Sequence, residues 1–455
     1  MEKCVVVLAA GKGTRMKSLD ESHSKIAYPI MGKPILEYVL DALEPLKFKK
    51  RIVVAGFGGD ITKEIVKDRA QVIQEKERHE SGSSAYLAKE LLKNETGVTL
   101  LIYGDLPLLT ADTIGRLLYK HEKNGNGLTV LTSVLENPTG YARIIREHKT
   151  NLILEIKEEK DLDEYQQDIN EVNAGAYAIN NDLLLKYLDN ETTSLNEIVG
   201  RIVKDKIKVE AYVLEDPQEM YSISNRAQLA FAARIIRKRV NLKLMLSGVS
   251  IEDPDTTYIS PDIEIGVDTI IMPNTTILGK SKIGKGNWLG PNTYINNAEI
   301  GDNNKVHFSW IDNVKMGNNN EIGPFAKIYK ESELGNDNNV GNFVELKKTK
   351  LSNGVFAKHL SYLGDAKIGD KTNVGCMTVT CNYDGVNKHE TIIGNNVFVG
   401  TGSILIAPVE LKDDSFVAAG TVVTKNVNED ELAIGRVEQN NVPHGSSSIK
   451  KHKKG

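Results

Sequence analysis

The chain has 455 residues, 40% apolar and 26% charged, which excludes a single small module and wholesale disorder. Its 57 basic and 61 acidic side chains leave a formal charge of -4, so no global field holds a polyanion; nucleic acid is not expected as a partner, and any anion site must be local. No apolar run approaches the roughly 20 residues that span a bilayer, and the three cysteines, Cys4, Cys376 and Cys381, lack C-x-x-C spacing and suggest neither a disulfide framework nor a zinc site.

Met1-Glu2-Lys3 passes directly into the strand-like Val5-Val6-Val7-Leu8, without the apolar stretch and cleavage site of a signal peptide, so a cytoplasmic location is expected. Up to about residue 228, short apolar runs (4–10, 51–55, 98–103) alternate with amphipathic stretches (35–46, 111–121). Such alternation predicts an α/β domain, Rossmann-like, with a mostly parallel sheet covered on both faces. Residues 228–246 then place Leu229, Ala232, Ala233, Ile236, Val240 and Leu244 at helical spacing among Arg234, Arg237, Lys238, Arg239 and Lys243, which predicts one connecting helix with a solvated basic face.

Beyond Val249, aliphatic-glycine pairs recur six residues apart: Ile283-Gly284 with Leu289-Gly290, Met316-Gly317 with Ile322-Gly323, Leu334-Gly335 with Val340-Gly341, Ile368-Gly369 with Val374-Gly375, Ile393-Gly394 with Val399-Gly400. A period of six gives a short strand and a turn per repeat, with one aliphatic pointing inward and Gly or Asn turning the corner. Three sides close one triangular coil, and stacked coils bury an aliphatic column: a left-handed parallel β-helix of hexapeptide repeats. The register breaks at 342–367 and 376–392, where insertions are expected to leave the prism and carry the chemistry. The domain boundaries read from these shifts are 1–228, a linker helix over 229–249, the β-helix over 250–441, and a basic tail over 442–455.

The run Leu8-Ala9-Ala10-Gly11-Lys12-Gly13-Thr14-Arg15-Met16 follows a buried strand, as suits a turn whose amides bind phosphate oxygens. It is neither the dinucleotide fingerprint, since Met16 stands where a third glycine belongs, nor a Walker loop. With Lys25 downstream, it resembles the signature of sugar-nucleotide pyrophosphorylases. Leu100-Leu101-Ile102-Tyr103-Gly104-Asp105 puts a carboxylate at the carboxyl edge of the sheet, a natural Mg²⁺ ligand. In the second half stand Gly341-Asn342-Phe343-Val344-Glu345-Leu346-Lys347-Lys348, His359-Leu360-Ser361-Tyr362-Leu363-Gly364-Asp365 and Thr380-Cys381-Asn382-Tyr383-Asp384-Gly385 with Lys388.

Taken together these stretches resemble, over residues 3–440, the bacterial family of bifunctional N-acetylglucosamine-1-phosphate uridylyltransferase and glucosamine-1-phosphate N-acetyltransferase. The resemblance implies that Leu8, Ala9, Ala10 and Gly11 bind the uridine, that Arg15 and Lys25 neutralise the triphosphate, that Gln74, Ser81 and Gly82 contact uracil, and that Tyr103, Gly104, Gly140, Glu155 and Asn173 line the sugar pocket. Asp105 and Ser224 would hold Mg²⁺. His359 would be the base of acetyl transfer, its imidazole suited to take a proton near neutral pH, with Glu345 orienting it. Lys347, Tyr362, Asn373 and Lys388 would bind the acetyl acceptor, and Cys376, Asn382, Tyr383, Thr401, Ala419 and Arg436 acetyl-coenzyme A. UTP, glucosamine-1-phosphate and N-acetylglucosamine-1-phosphate are the implied substrates and a homotrimer the implied assembly.

Against that pattern, Ser224 stands where the family has an asparagine ligand, with Asn225 as a substitute, and Ser81-Gly82-Ser83-Ser84-Ala85 replaces the family's uracil loop after a longer spacer. Tyr329 replaces a phosphate-binding arginine, which predicts weaker phosphate binding or a modified acceptor. Cys376-Met377 in place of small residues narrows the acetyl pocket. An enzyme with only one of the two activities, and a scaffold built from the same two domains, are the competing readings.

Overall fold

The computed structural model describes every residue except 1, 12, 20–23, 57, 76–80, 151, 190–193 and 447–455, so Lys12 and most of the predicted basic tail lie outside the described residues. The chain divides into two compact units, Met1–Ile236 and Arg237–Gly455.

The first unit is built on a nine-stranded sheet whose main path runs Val209–Val213, Leu128–Val134, Glu171–Asn180, Val98–Tyr103, Lys3–Ala9, Lys50–Ala55, Gln71–Gln74. Glu171–Asn180 is antiparallel to both of its neighbours on that path; the other pairings along it are parallel. The central strand has no polar alternation because both its faces are covered: Cys4, Val6 and Leu8 enter one core cluster, and Val5, Val7 and Ala9 the other. Leu8 pairs with Tyr103, so the glycine turn and Gly104-Asp105 leave the sheet at the same carboxyl edge. The amphipathic stretches form Ile35–Leu43, continued by a 3-10 turn, and Ala111–Lys123, capped by the Thr110 side chain accepting from the Thr113 amide.

The helix predicted from residue 228 spans Arg226–Leu246. It begins earlier than the apolar spacing indicates because Asn225 caps it: the Asn225 Oδ1 accepts the Gln228 amide at 2.9 Å. Its basic face is not uniformly solvated. The Arg237 guanidinium donates to Asp255 at 3.0 Å and lies 5.0 Å from the centre of the Tyr258 ring, leaving its side chain 11% exposed.

The second unit carries a 26-stranded parallel sheet wound on itself, in which most strands pair with the one three further on, the pattern of a three-sided β-helix. The inward positions Ile271, Ile277, Leu289, Ile295, Val306, Ile311, Ile322, Ile328, Val340 and Leu346 are fully buried and form one column. Inside one corner Asn287, Asn304, Asn320 and Asn338 stack, each carboxamide oxygen accepting the backbone amide of the next coil.

The register expected to break at 342–367 does not leave the prism. Strands Asn339–Lys347 and Phe356–Gly364 pair in sequence from Asn339 with Phe356 to Lys347 with Gly364, on a 17-residue coil. Most corners there are turned at positive φ by Phe343, Lys348, Leu360 and Asp365, with Gly354 the one glycine among them, so the glycine signal of the repeat is thinned although the coil is intact. Around 376–392 the coil does lengthen, to 25 residues, and a loop closed by the Tyr383–Lys388 bridge projects from it. Among the described residues no helix is long and apolar enough to cross a membrane.

Candidate active sites

At the sheet edge, Gly13 takes φ 69° and opens the 3-10 turn Thr14–Met16. A Cβ on Gly13 would lie 2.5 Å from the Lys25 Cβ, so the missing side chain is what lets Lys25 pack under the turn. The Arg226 guanidinium ties the turn down by donating to the Met16 carbonyl at 3.1 Å. Lys25 Nζ sits 2.5 Å from Asp105 Oδ2, both side chains about 15% exposed. Arg15 donates to Ser224 Oγ at 3.1 Å, and the Ile223 amide to the Asp105 carbonyl at 3.1 Å. These contacts enclose a cavity of about 380 Å³ lined by Leu8, Ala9, Ala10, Gly11, Arg15, Lys25, Ser81, Tyr103, Asp105 and Ser224, among others. Its chemistry is one carboxylate, several hydroxyls and two cations around backbone amides, an arrangement that can hold a polyphosphate and a hard cation. Asn225 is spent on the helix cap and is not free to replace Ser224.

Gln74 is not among the residues lining that cavity; its amide donates to the Gly56 carbonyl at 2.5 Å and its head fills the space beside Gly59. Residues 81–86 form a short helix, with Gly82 buried and Ser84 donating to the buried Glu75 at 3.0 Å. Ser81 and Tyr103 also line a larger neighbouring cavity of about 1570 Å³ with Gly140, Glu155, Asn173, Asn196 and Arg201. Gly175, at φ 80°, makes room for the Tyr103 ring, 2.5 Å from where its Cβ would be. The Asn173 amide donates to the Tyr177 hydroxyl at 2.5 Å and to Asn196 at 3.1 Å, while burial pushes the Tyr103 and Tyr177 hydroxyls upward in pKa. Asn196, absent from the sequence-based set, thus shares the Asn173–Tyr177 network of this cavity; Leu195–Lys204 is amphipathic, and a polar residue at its amino end is the only signal of it.

On the prism, His359 pairs with Asn342 one position before the corner at Leu360. The Met377 amide bonds the Leu360 carbonyl, the Gly402 amide the Cys376 carbonyl, and the Gly420 amide the Thr401 carbonyl. His359, Cys376, Thr401 and Ala419 therefore stand on successive coils along one corner, and Arg436 extends the line by donating to the Ala419 carbonyl at 2.7 Å. Past the corner, Glu345 pairs with Tyr362 and Lys347 with Gly364. Asn382 is buried against Asp365 at 2.5 Å, and Asn373 lies beside Phe356 and Phe398. The Tyr383 hydroxyl donates to the Gly385 carbonyl, and Lys388 is exposed in the same loop.

Glu345 is not within hydrogen-bond or ion-pair distance of His359. Its carboxylate accepts the Tyr329 hydroxyl at 2.6 Å. Partial burial first, then this carboxylate, hold the Tyr329 hydroxyl protonated, above its ordinary range. Among the described residues no three or more His, Cys, Asp or Glu side chains group as a metal cluster.

Residues 5–168 match the family of MobA-like NTP transferase domains, and residues 390–425 the hexapeptide repeat of succinyl-transferase. The chain is a transferase that joins a nucleotidyltransferase domain to a hexapeptide-repeat β-helix. A relative from Thermoanaerobacter pseudethanolicus, bifunctional protein GlmU, is 42% identical over 443 residues, 96% of either chain. Those of Exiguobacterium sp. (40%; 97% of this chain and 98% of the relative) and Listeria monocytogenes serovar 1/2a (39%; 97% of each) carry the same name. The chain belongs to the bifunctional GlmU family.

Proposed function

We propose that the protein makes UDP-N-acetylglucosamine in two steps, acetylating glucosamine-1-phosphate on the prism and coupling the product to UTP in the first unit. The convergence of residues 8–11, Arg15, Lys25, Asp105 and Ser224 on one cavity is the observation that carries the reading.

In the uridylyl step a phosphate oxygen of N-acetylglucosamine-1-phosphate attacks the α-phosphorus of UTP, the bond from that phosphorus to the β-phosphate's bridging oxygen breaks, and pyrophosphate leaves. The nucleophile is already anionic, so no general base is required; alignment and charge neutralisation suffice. Arg15 and Lys25 supply fixed positive charge, and Lys25 exchanges Asp105 for phosphate oxygens as the nucleotide enters. Mg²⁺, which commonly takes one or two carboxylates plus substrate phosphates, fits the Asp105 carboxylate and the Ser224 hydroxyl, and when bound it neutralises charge on the phosphates. Tyr103, Gly140, Glu155, Asn173 and Asn196 hold the sugar; Ser81, which lines both cavities, faces the base, and the buried Gly82 does not.

In the acetyl step the acceptor amine attacks the thioester carbonyl of acetyl-coenzyme A, His359 takes the amine proton, the carbon–sulfur bond breaks, and coenzyme A leaves as its thiolate, which regains a proton as the free thiol. The column of Cys376, Thr401, Ala419 and Arg436 runs away from His359 along one corner, a track for the extended thioester. Lys347, Tyr362, Asn373 and Lys388 hold the acceptor, with Asn382 and Tyr383 beside the acetyl group. Assembly as a homotrimer through the prism, a cytoplasmic location, and domain limits at 228, 249 and 441 belong to the same reading.

Purified protein given each half-reaction separately tests it. Pyrophosphate is expected from UTP, N-acetylglucosamine-1-phosphate and Mg²⁺, and acetylated sugar from acetyl-coenzyme A and glucosamine-1-phosphate without metal. Absence of pyrophosphate would remove the first activity, and absence of acetylated sugar the second.

A further inference from the structure

Side chains two apart on a strand share a face, and in the prism each also stands directly over its partner on the next coil. Ile328 points into the core, so Lys327 and Tyr329 both point outward. Lys327 pairs with Glu345, and Tyr329 with Lys347. Elsewhere on the prism a lysine and a glutamate placed in this way form an ion pair: Glu333 pairs with Lys350 in register, and their charged groups meet at 3.0 Å. Lys327 and Glu345 do not. The Glu345 carboxylate is turned to the Tyr329 hydroxyl, and Lys327 Nζ lies over the face of the Tyr329 ring, 4.6 Å from its centre. Lys327 and Lys347 thus flank one aromatic ring, neither in an ion pair with any described carboxylate, on the face that also carries Tyr362.

We propose that Lys327 is an acceptor-binding residue: held over the Tyr329 ring, with Lys347 on the next coil, it grips the phosphate of the hexosamine phosphate that is acetylated on this face. The proposal rests on the acetyl-transfer reading and deepens it by naming a cation for the phosphate where Tyr329 offers no positive charge. Tyr329 contributes twice. Its hydroxyl occupies the carboxylate that would otherwise neutralise Lys327, and its ring gives the ammonium a platform. A phosphate held by ammonium groups is held by point charges, without the paired parallel bonds of a guanidinium, so binding is salt-sensitive.

The test compares the full-length protein with Lys327→Met and Lys327→Arg. Both changes are on an exposed side chain and should leave the melting temperature unaltered. Lys327→Met is expected to raise KM for glucosamine-1-phosphate about tenfold or more, with kcat and KM for acetyl-coenzyme A changed less than about twofold, while Lys327→Arg restores the acceptor KM. Uridylyl transfer should not change. An acceptor KM in Lys327→Met equal to that of the unsubstituted protein would overturn the proposal, as would an equal loss in both variants. Should the unsubstituted protein transfer no acetyl group, the functional reading fails by itself, and calorimetric titration with glucosamine-1-phosphate decides the proposal: a Kd weakened tenfold by Lys327→Met supports it, and an unchanged Kd or no binding to either protein overturns it.

Discussion

Lys25 and Asp105 lie 80 residues apart in sequence and 2.5 Å apart in space, and this ion pair forms part of the wall of the cavity beneath the glycine turn. In the unliganded chain each therefore neutralises the other, which lets a carboxylate and an ammonium share a largely buried place without leaving either charge uncompensated. Asp105→Asn keeps the shape and removes the charge on which the proposed Mg²⁺ depends. Uridylyl transfer should fall by about two orders of magnitude or more, and Lys25, freed of its partner, should keep nucleotide affinity close to normal. Acetyl transfer should be untouched. Assay of both activities on one preparation checks this, and a parallel fall in the two would point to general misfolding.

Gly13→Ala tests the packing that places Lys25. The new methyl group would sit 2.5 Å from the Lys25 Cβ at a residue whose φ is 69°. The positive φ alone costs about 1 kcal/mol for alanine, and the clash must be relieved by moving the turn or the lysine. Uridylyl kcat should drop about tenfold or more with little change in the acetyl step, and Gly140→Ala, which meets nothing within 4 Å although its φ is 87°, should cost much less. Because Gly140 lines the sugar pocket, Gly125→Ala, which also meets nothing within 4 Å at a φ of 59° but lies outside both cavities, is the control for strain alone, and steady-state kinetics of Gly13→Ala against it separate the clash from the strain.

These contrasts show which parts of the sites were readable from sequence. The turn, Lys25 and Asp105 are local motifs on a buried strand edge, and a strand order that brings Leu8 beside Tyr103 is enough to join them. Gln74, expected to contact uracil, instead ends its strand with its side chain taken by the carbonyl of Gly56, just past the neighbouring strand, a contact that no spacing encodes. The hexad rule located the prism because glycine and asparagine mark its corners. It failed over 342–367 because Phe343 and Leu360 take positive φ there, which sequence statistics disfavour and the stacked coils impose. The Tyr329–Glu345 bond runs diagonally between coils, so neither residue announces it.

The asparagine stack predicts where the prism is fragile. Asn304 is fully buried; its amide donates to Asn287 Oδ1 at 3.1 Å and to the Gly317 carbonyl at 3.0 Å, and its oxygen accepts the Asn320 backbone amide at 2.9 Å. Asn304→Ala removes the partner of the Gly317 carbonyl and of the Asn320 backbone amide, while Asn287 Oδ1 keeps the Asn304 backbone amide, at a cost of about 2–4 kcal/mol. Asn303→Ala, one residue earlier, changes a corner position whose backbone already has positive φ and should cost about 1 kcal/mol. Thermal denaturation of the two variants gives the comparison, and acetyl-transfer kinetics well below the transition should stay within about twofold of the parent for both.

The loop that leaves the prism after Asn382 is organised by Asp384. Its carboxylate accepts the Val386 and Asn387 amides at 2.8 and 2.6 Å and meets His389 Nε2 at 2.7 Å. The Asn387 amide first, then His389 and the Val386 amide, pull the Asp384 pKa from 3.8 down to about 2. A carboxyl whose pKa is lowered by folding contributes in full above its ordinary value and loses that contribution as pH falls through about 2, so the loop should hold its form over the whole range in which an acetyltransferase is assayed. Asp384→Ala removes the anchor at every pH. If Lys388 binds the acceptor phosphate, this variant should raise acceptor KM about tenfold, and the ratio of variant to parent KM should stay constant from pH 9 to pH 5.5. A ratio drifting toward one as pH approaches 5.5 would mean that Asp384 is being protonated in the parent far above pH 2 and that its bonds to the loop are not the ones that place Lys388.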